Sequence, residues 1–248
     1  MNNLLFKAPL VVGYKGEIGS FILSGLLRIM PKALDIWCFD INETEKERKE
    51  RIKKADVIFL CVPIEDTIDW LIKYQKFLDD KIVIEQCSLK SFLYDSKRMP
   101  IVNGDFAINY YLLSMHVLFR PSSTPNKEDR RIAIIDMKRW KNCFGIFYER
   151  TFEYFTDSRI VYFNSIEHHD AVMALNQALL HRTLLILGKM LPGTGETYVA
   201  QKVKELYRRI KGGNSGLYAF IQKNKYLPEV LKDFEKEFKN FNIKKEMK

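Results

Sequence analysis

Hydrophobic and polar positions alternate with two different periods along this chain. In the first third, apolar residues form short continuous blocks, "APLVVGY", "LDIWCFD", "ADVIFLCVP" and "KIVIEQCS". Each of the first three is followed by a stretch with helical spacing. In "GEIGSFILSGLLRIM" the apolar residues Ile18, Phe21, Ile22, Leu26 and Ile29 recur every three to four positions. "ETEKERKERIKK" reads as a solvated helix and "EDTIDWLIKYQKFL" as an amphipathic one. Strands that are apolar throughout and alternate with helices predict a mostly parallel sheet covered on both faces. Past Ser88 the pattern loosens: "LLSMHVLF", "RIAIID" and "RIVYF" read as strands and "KNCFGIFYERTFEYF" as one helix. From about Ser165 only helical periods remain, in "HDAVMALNQALLHRTLLILGKML", "ETYVAQKVKELYRRI" after a "PGTG" turn, and "LYAFIQKNKYLPEVLKDFEKEFKNF". The predicted organisation is an α/β domain over 1–164 and a small all-helical domain over 165–248.

Composition narrows the functional classes. With 248 residues and 47% hydrophobic content, the chain can bury a core without staples. The net charge of +9 is spread and interleaved with acids, and no finger, recognition helix or similar segment stands out. That distribution suits a small anionic ligand better than nucleic acid. Cys38, Cys61, Cys87 and Cys143 contain no CxxC pair and read as reduced core thiols. The charge-free run from Phe106 to Phe119 is too short to span a bilayer, and no charged and apolar leader opens the chain. A cytoplasmic protein without a membrane segment is expected.

The first candidate chemistry is "PLVVGYKGEIGSFI". A strand runs into Gly13, Gly16 and Gly19 and a helix follows, which is the context of a dinucleotide-binding turn: backbone N–H groups from Gly16 to Gly19, with Glu17 and Ile18 between them, can hold a pyrophosphate. Asp40 ends the second strand 21 residues after Gly19, where an acid meets ribose hydroxyls and repels a 2′-phosphate, so NAD is the expected cofactor. Aligned as GxGxxG, the first glycine position is Tyr14, and a non-glycine at positive φ costs about 1–3 kcal/mol. Gly13 is the alternative carrier of the turn.

Further along, "VIEQCSLKSFL", "LLSMHVLFRPSST" and "EHHDAVMALNQALLH" occur in that order, and with the segments above they resemble the prephenate/arogenate dehydrogenase family over most of the chain. Ser88 and Lys90 match the family's D-x-x-S-V-K, His116 its H-P-M-F-G-P, and His169, Asp170, Met173, Ala174, Gln177 and His181 its helical E-H-D-x-x-M-A-x-x-Q-x-L-x-H. Glu85, Val117 and Arg120 replace the family's aspartate, proline and glycine. The resemblance implies a Rossmann-like domain and NAD-dependent oxidative decarboxylation of prephenate to 4-hydroxyphenylpyruvate, or of arogenate to tyrosine. It implies His116 as the base that takes the ring hydroxyl's proton, Ser88 as a hydrogen-bond partner of either the imidazole or the substrate hydroxyl, and Val62 and Pro63 as the border of the nicotinamide. Arg120, Gln177 and His181 are the candidate substrate contacts, Arg120 because its guanidinium can pair with a carboxylate. Asp170 is expected to help start its helix. His168, His169 and His181 lack a completing ligand cluster, so no metal is expected. The apolar stripe of the helical domain suggests a homodimer. Two other classes stand beside this one: a degenerate relative that keeps the fold and NAD but acts by binding or regulation, and a 3-hydroxyacid-type dehydrogenase. The latter uses a lysine on the second domain's first helix, where this chain has none before Lys189.

Overall fold

The computed structural model describes residues 6–30, 35–95, 110–123, 126–145, 148–191, 193, 197–212 and 215–241. These form two compact units, Met1–Ile166 and Glu167–Lys248. The PGTG segment lies largely outside the described residues.

The first unit is built on a seven-stranded sheet. Its strands are β1 (Pro9–Val12), β2 (Trp37–Phe39), β3 (Val57–Leu60), β4 (Ile82–Glu85), β5 (Tyr111–Val117), β6 (Arg131–Ile135) and β7 (Arg159–Phe163). They lie in the order β2-β1-β3-β4-β5-β6-β7. All neighbours are parallel except β5 and β6, which pair antiparallel with His116 opposite Ala133. The chain therefore reverses its direction of growth between β1 and β3, and such a switch point opens a crevice at the carboxyl ends of the strands.

Strands β1, β3 and β4 are apolar blocks because both faces are covered. On one face Val11, Phe59, Ile84, Leu113, Met115 and Ile134 pack under α1 (Glu17–Ile29), α5 (Met137–Phe144) and α6 (Tyr148–Thr156). Phe6, Phe59, Phe152 and Phe155 meet mostly edge to face there, with centroids 4.9–6.5 Å apart, geometry that adds about 0.5–1.5 kcal/mol per pair to area burial. The alternate residues Leu10, Ile58, Leu60 and Val83, also buried, face the other way, and Ile52 of α2 (Glu45–Lys54) and Ile68 and Leu71 of α3 (Ile64–Tyr74) are buried as well. The charged helix α2 starts with a capping box: the Thr44 hydroxyl accepts from the Glu47 N–H at 3.3 Å, and Glu47 accepts from the Thr44 N–H at 2.8 Å.

The segment read as one helix, "KNCFGIFYERTFEYF", is two. Gly145 ends α5 with φ 73°, a conformation that cannot continue a right-handed helix, and α6 starts at Tyr148.

The second unit opens with one continuous helical run, α7 (Ile166–Met173), a π segment (Ala174–Leu179) and α8 (Leu180–Met190). It continues with α9 (Tyr198–Lys211), α10 (Ser215–Ile221) and α11 (Leu227–Asn240). Asp170 does not start the first helix. It is fully buried one turn inside, where its carboxylate meets His169 Nδ1 at 2.8 Å and its carbonyl accepts from Asn224 Nδ2 at 2.7 Å. The last apolar segment also divides, because Asn224 turns the chain: its side-chain oxygen accepts from the Tyr226 N–H at 3.0 Å, and Pro228 then sits in the first turn of α11. Ala178, Leu179, Ile221 and Leu227 make the small core of this unit.

By length and composition Ile166–Met190 could cross a membrane, which a search for charge-free runs overlooks because Arg182 interrupts it. One third of that apolar stretch is buried, Ala178 and Leu179 among it, and it packs on α9, α10 and α11.

Candidate functional site

The sheet register gathers the candidates. Phe39, Val12, Leu60, Glu85 and Ser114 form one row across β2, β1, β3, β4 and β5. One residue further along their strands come Asp40 and Gly13, and two further come Val62 and His116. Pro63 and Ser88 follow at three. Strands written far apart in sequence thus end together, on the crevice side of the sheet.

The glycine turn is intact. Gly13 alone among its residues takes positive φ, 76°, and donates its N–H to the Phe39 carbonyl at 2.9 Å. A Cβ on Gly13 would lie 2.5 Å from the Cys61 carbonyl oxygen. The turn is therefore displaced by one residue relative to GxGxxG, and Tyr14 carries no left-handed strain. A Cβ on Gly19 would fall 2.1 Å from the Gly13 carbonyl oxygen, so α1 can approach the strand end this closely only with glycine there. Gly16 is the N-cap residue and offers no side chain to the first turn of α1, whose N–H groups have no side-chain cap among the described residues and can meet an anion. Ile18 is half-buried beside them.

Asp40 is tied to this turn. Its carboxylate accepts from the backbone N–H of Lys15 at 3.1 Å and of Ile41 at 2.8 Å. Each oxygen keeps a lone pair for a further donor. Of the nearby arginines, Arg51 donates to the Cys38 carbonyl and lies 3.7 Å from Glu43, while Arg48 donates from Nη2 to the Ile41 carbonyl at 2.5 Å and its buried Nε has no partner among the described residues.

Glu17 and Arg120 find each other. The Glu17 carboxylate accepts from the Ser122 N–H at 2.8 Å and from Arg120 Nε at 3.2 Å. Partial burial raises its pKa, but the hydrogen bonds from Ser122 and Arg120 outweigh this and hold it below the ordinary carboxylate value. These bonds fasten the segment after β5 to the start of α1. Arg120, a candidate substrate contact, is half exposed, and among the described residues its Nη1 and Nη2 have no partner. The fork remains available to a carboxylate while Nε holds Glu17.

His116 is 5% exposed near the end of β5. By strand alternation it shares a face with Ser114. Ser88 is half-buried, and among the described residues no hydrogen bond joins it to His116. Pro63 caps α3, its carbonyl accepting from the Thr67 hydroxyl at 3.1 Å, and two residues before it desolvation pushes the thiol of the half-buried Cys61 up to about 12. Sequence reasoning missed two features here. Both amide atoms of Gln86 are buried without a hydrogen-bond partner among the described residues, and Glu85 forms a fully buried ion pair with Lys90. The signal was a polar pair closing an otherwise apolar strand, "KIVIEQ".

In the second unit Gln177 and His181 stand one turn apart where the π segment passes into α8. Gln177 Oε1 and His181 Nδ1 are both buried without a hydrogen-bond partner among the described residues. The His181 ring meets Tyr218 edge on at 5.0 Å, and burial lowers its pKa, so the imidazole is neutral at pH 7. Wide π turns recur at functional sites, and here one brings two orphaned polar atoms to the same helix face.

No protein-family model matches the chain, and no curated protein matches it in sequence. Solved structures do match in fold. A Corynebacterium glutamicum protein described provisionally as a prephenate dehydrogenase shares 15% identity with a TM-score of 0.70, over 94% of this chain and 80% of its own. The 3-hydroxyisobutyrate dehydrogenase of Mycobacterium tuberculosis, solved with L-serine, shares 10% with a TM-score of 0.55, over 87% and 91%. A semialdehyde dehydrogenase NAD-binding protein of Cupriavidus necator, solved with calcium and NAD, shares 11% with a TM-score of 0.50, over 91% and 99%. The architecture is therefore that of a Rossmann-like, mostly parallel α/β unit followed by a helical unit, a fold that this chain shares with dehydrogenases.

Proposed function

We propose that the protein is an NAD-dependent dehydrogenase that oxidatively decarboxylates prephenate or arogenate. The observation that carries this reading is the alignment of the Gly13 turn, Asp40, Val62–Pro63 and His116 at one end of the sheet. The open first turn of α1 holds the pyrophosphate, and Asp40 takes the adenosine ribose hydroxyls. NAD supplies the hydride acceptor. The chain's own residues do the rest. His116 accepts the proton of the substrate's ring hydroxyl as the hydride leaves the same carbon, and loss of the ring carboxylate as carbon dioxide makes the product aromatic. Arg120, whose two terminal nitrogens have no partner among the described residues, holds a substrate carboxylate. Ser88 orients the substrate hydroxyl, since it makes no bond to the imidazole. The unstrained Tyr14 removes one motive for reading the chain as a degenerate binding protein.

The test is NADH formation by the purified protein with each substrate. Turnover of either supports the reading; NAD binding with no turnover of both overturns it in favour of a binding role. NAD should also bind more tightly than NADP, by about tenfold or more, because Asp40 meets the 2′-phosphate with like charge. Calorimetry on wild type and Asp40→Ala checks it: an NADP preference that the substitution leaves unchanged removes Asp40 from the site.

The helical unit leaves Ile186, Leu187 and Met190 of α8 and Tyr198 and Val199 of α9 exposed. We propose that they pair two copies of the chain. Light scattering is expected to give about twice the monomer mass of 29.3 kDa, and a monomer at micromolar concentration contradicts this.

A further inference from the structure

Glu85 and Lys90 are both fully buried, with Lys90 Nζ 2.8 Å from Glu85 Oε1. Lys90 Nζ also donates to the Met115 carbonyl at 2.8 Å. The other carboxylate oxygen of Glu85 accepts from the Cys87 N–H at 2.7 Å, and the Ser114 hydroxyl donates to Oε1. Tyr94 OH completes the set, 2.7 Å from Ser114 Oγ. Two members of this network thus end on Ser114 and Met115, the two residues that precede His116.

Stability does not account for the pair. A buried ion pair loses most of its Coulomb gain to desolvation, and an apolar pair of equal volume often does as well. Its placement is informative instead. The ladder between β4 and β5 ends at Glu85 and Ser114. Beyond that point β5 keeps its pairing with β6, and the Lys90 side chain takes the carbonyl of the residue next to His116. We infer that Glu85 and Lys90 are positioning residues for His116: the ion pair, joined to β5 at Ser114 and Met115, holds the end of that strand so that the imidazole keeps one orientation. The functional value of such a support rests on the dehydrogenase reading above, because a base displaced by about 1 Å loses rate on the order of 100-fold.

Removing one partner strands a buried charge and destabilises strongly, so the test removes both, in Glu85→Gln/Lys90→Met, which keeps the shapes. The four histidines are labelled with ¹⁵N, and the His116 imidazole signals are assigned by their loss in His116→Asn. In the folded double variant the His116 signals are expected to shift and to broaden or split, while those of His168 and His181 stay in place. With an active wild type, kcat should also fall at least about tenfold, at unchanged KM and NAD affinity. Unchanged His116 signals in the folded double variant overturn the inference. If that variant does not fold, Ser114→Ala decides, since it cuts one link to β5 and leaves both charges paired: the His116 signals move, or the inference fails. An inactive wild type refutes the proposed reaction alone, because the imidazole signals are read without turnover.

Discussion

His116→Asn is expected to fold and to bind NAD, yet to lose about 10²–10⁴-fold in kcat, the range typical for removal of a general base. Asparagine keeps a polar shape near that of the imidazole but cannot take up the hydroxyl proton. The residue is 5% exposed and lies two positions beyond the row that ends β4, away from the glycine turn and Asp40. Cofactor affinity should therefore change less than threefold. In wild type kcat should rise with pH as the base loses its proton, then level, and this limb should vanish in the variant. Ser88→Ala should cost less, as it removes an orienting hydroxyl and leaves the base. Steady-state kinetics across pH checks both. Equal rates and equal pH profiles in active wild type and His116→Asn would dismiss His116 as the base.

Gly19→Ala is the second large effect, and local propensity predicts it with the wrong sign. Gly19 lies in the first turn of α1, and alanine is favoured over glycine in a helix interior by roughly 1 kcal/mol. Here the added Cβ would fall 2.1 Å from the Gly13 carbonyl oxygen and 2.8 Å from Tyr14 Cα. Backbone cannot yield as a flexible side chain does, so the turn must open or α1 must retreat, at a cost of about 1–3 kcal/mol. Either movement spoils the N–H cradle, and the Kd for NAD should rise about 100-fold. Gly16→Ala, whose Cβ would stand 3.3 Å from the same carbonyl, should be milder. Calorimetric titration orders the two, and the prediction fails if Gly19→Ala binds NAD as wild type does.

Much of the site could be read from the chain because it is built on local patterns. Apolar blocks such as "VIFL" are legible as strands since a strand covered on both faces has no polar position to break the run. A strand, three glycines and a helical period identify the turn, and an acid at the end of the next strand, Asp40, identifies its partner. His116 could be singled out only by its place in an ordered series of motifs, since a lone histidine in an apolar strand has no local signature.

The rest is a matter of partners. Periodicity records that a residue is buried and is silent on what it is buried against. Gly13 carries the turn because the Cys61 carbonyl, 48 positions away, stands where its Cβ would be. β6 runs antiparallel to β5 although its apolar pattern would suit either direction. Gly145 and Asn224 break segments whose apolar spacing alone reads as continuous helix, because the left-handed backbone at Gly145 and the bond that the Asn224 side-chain oxygen accepts from the Tyr226 N–H outweigh the spacing. Asp170, a good N-cap type by residue class, is buried inside its helix, where His169 meets its carboxylate and Asn224 donates to its backbone carbonyl. Arg120 is held by Glu17 across 103 positions, and Lys90 meets both Glu85 and the Met115 carbonyl. The sequence by itself determined the elements, their order and the kind of site; the tertiary structure alone decided which residue completes each hydrogen bond and ion pair, because those pairings depend on distances between segments that no local pattern encodes.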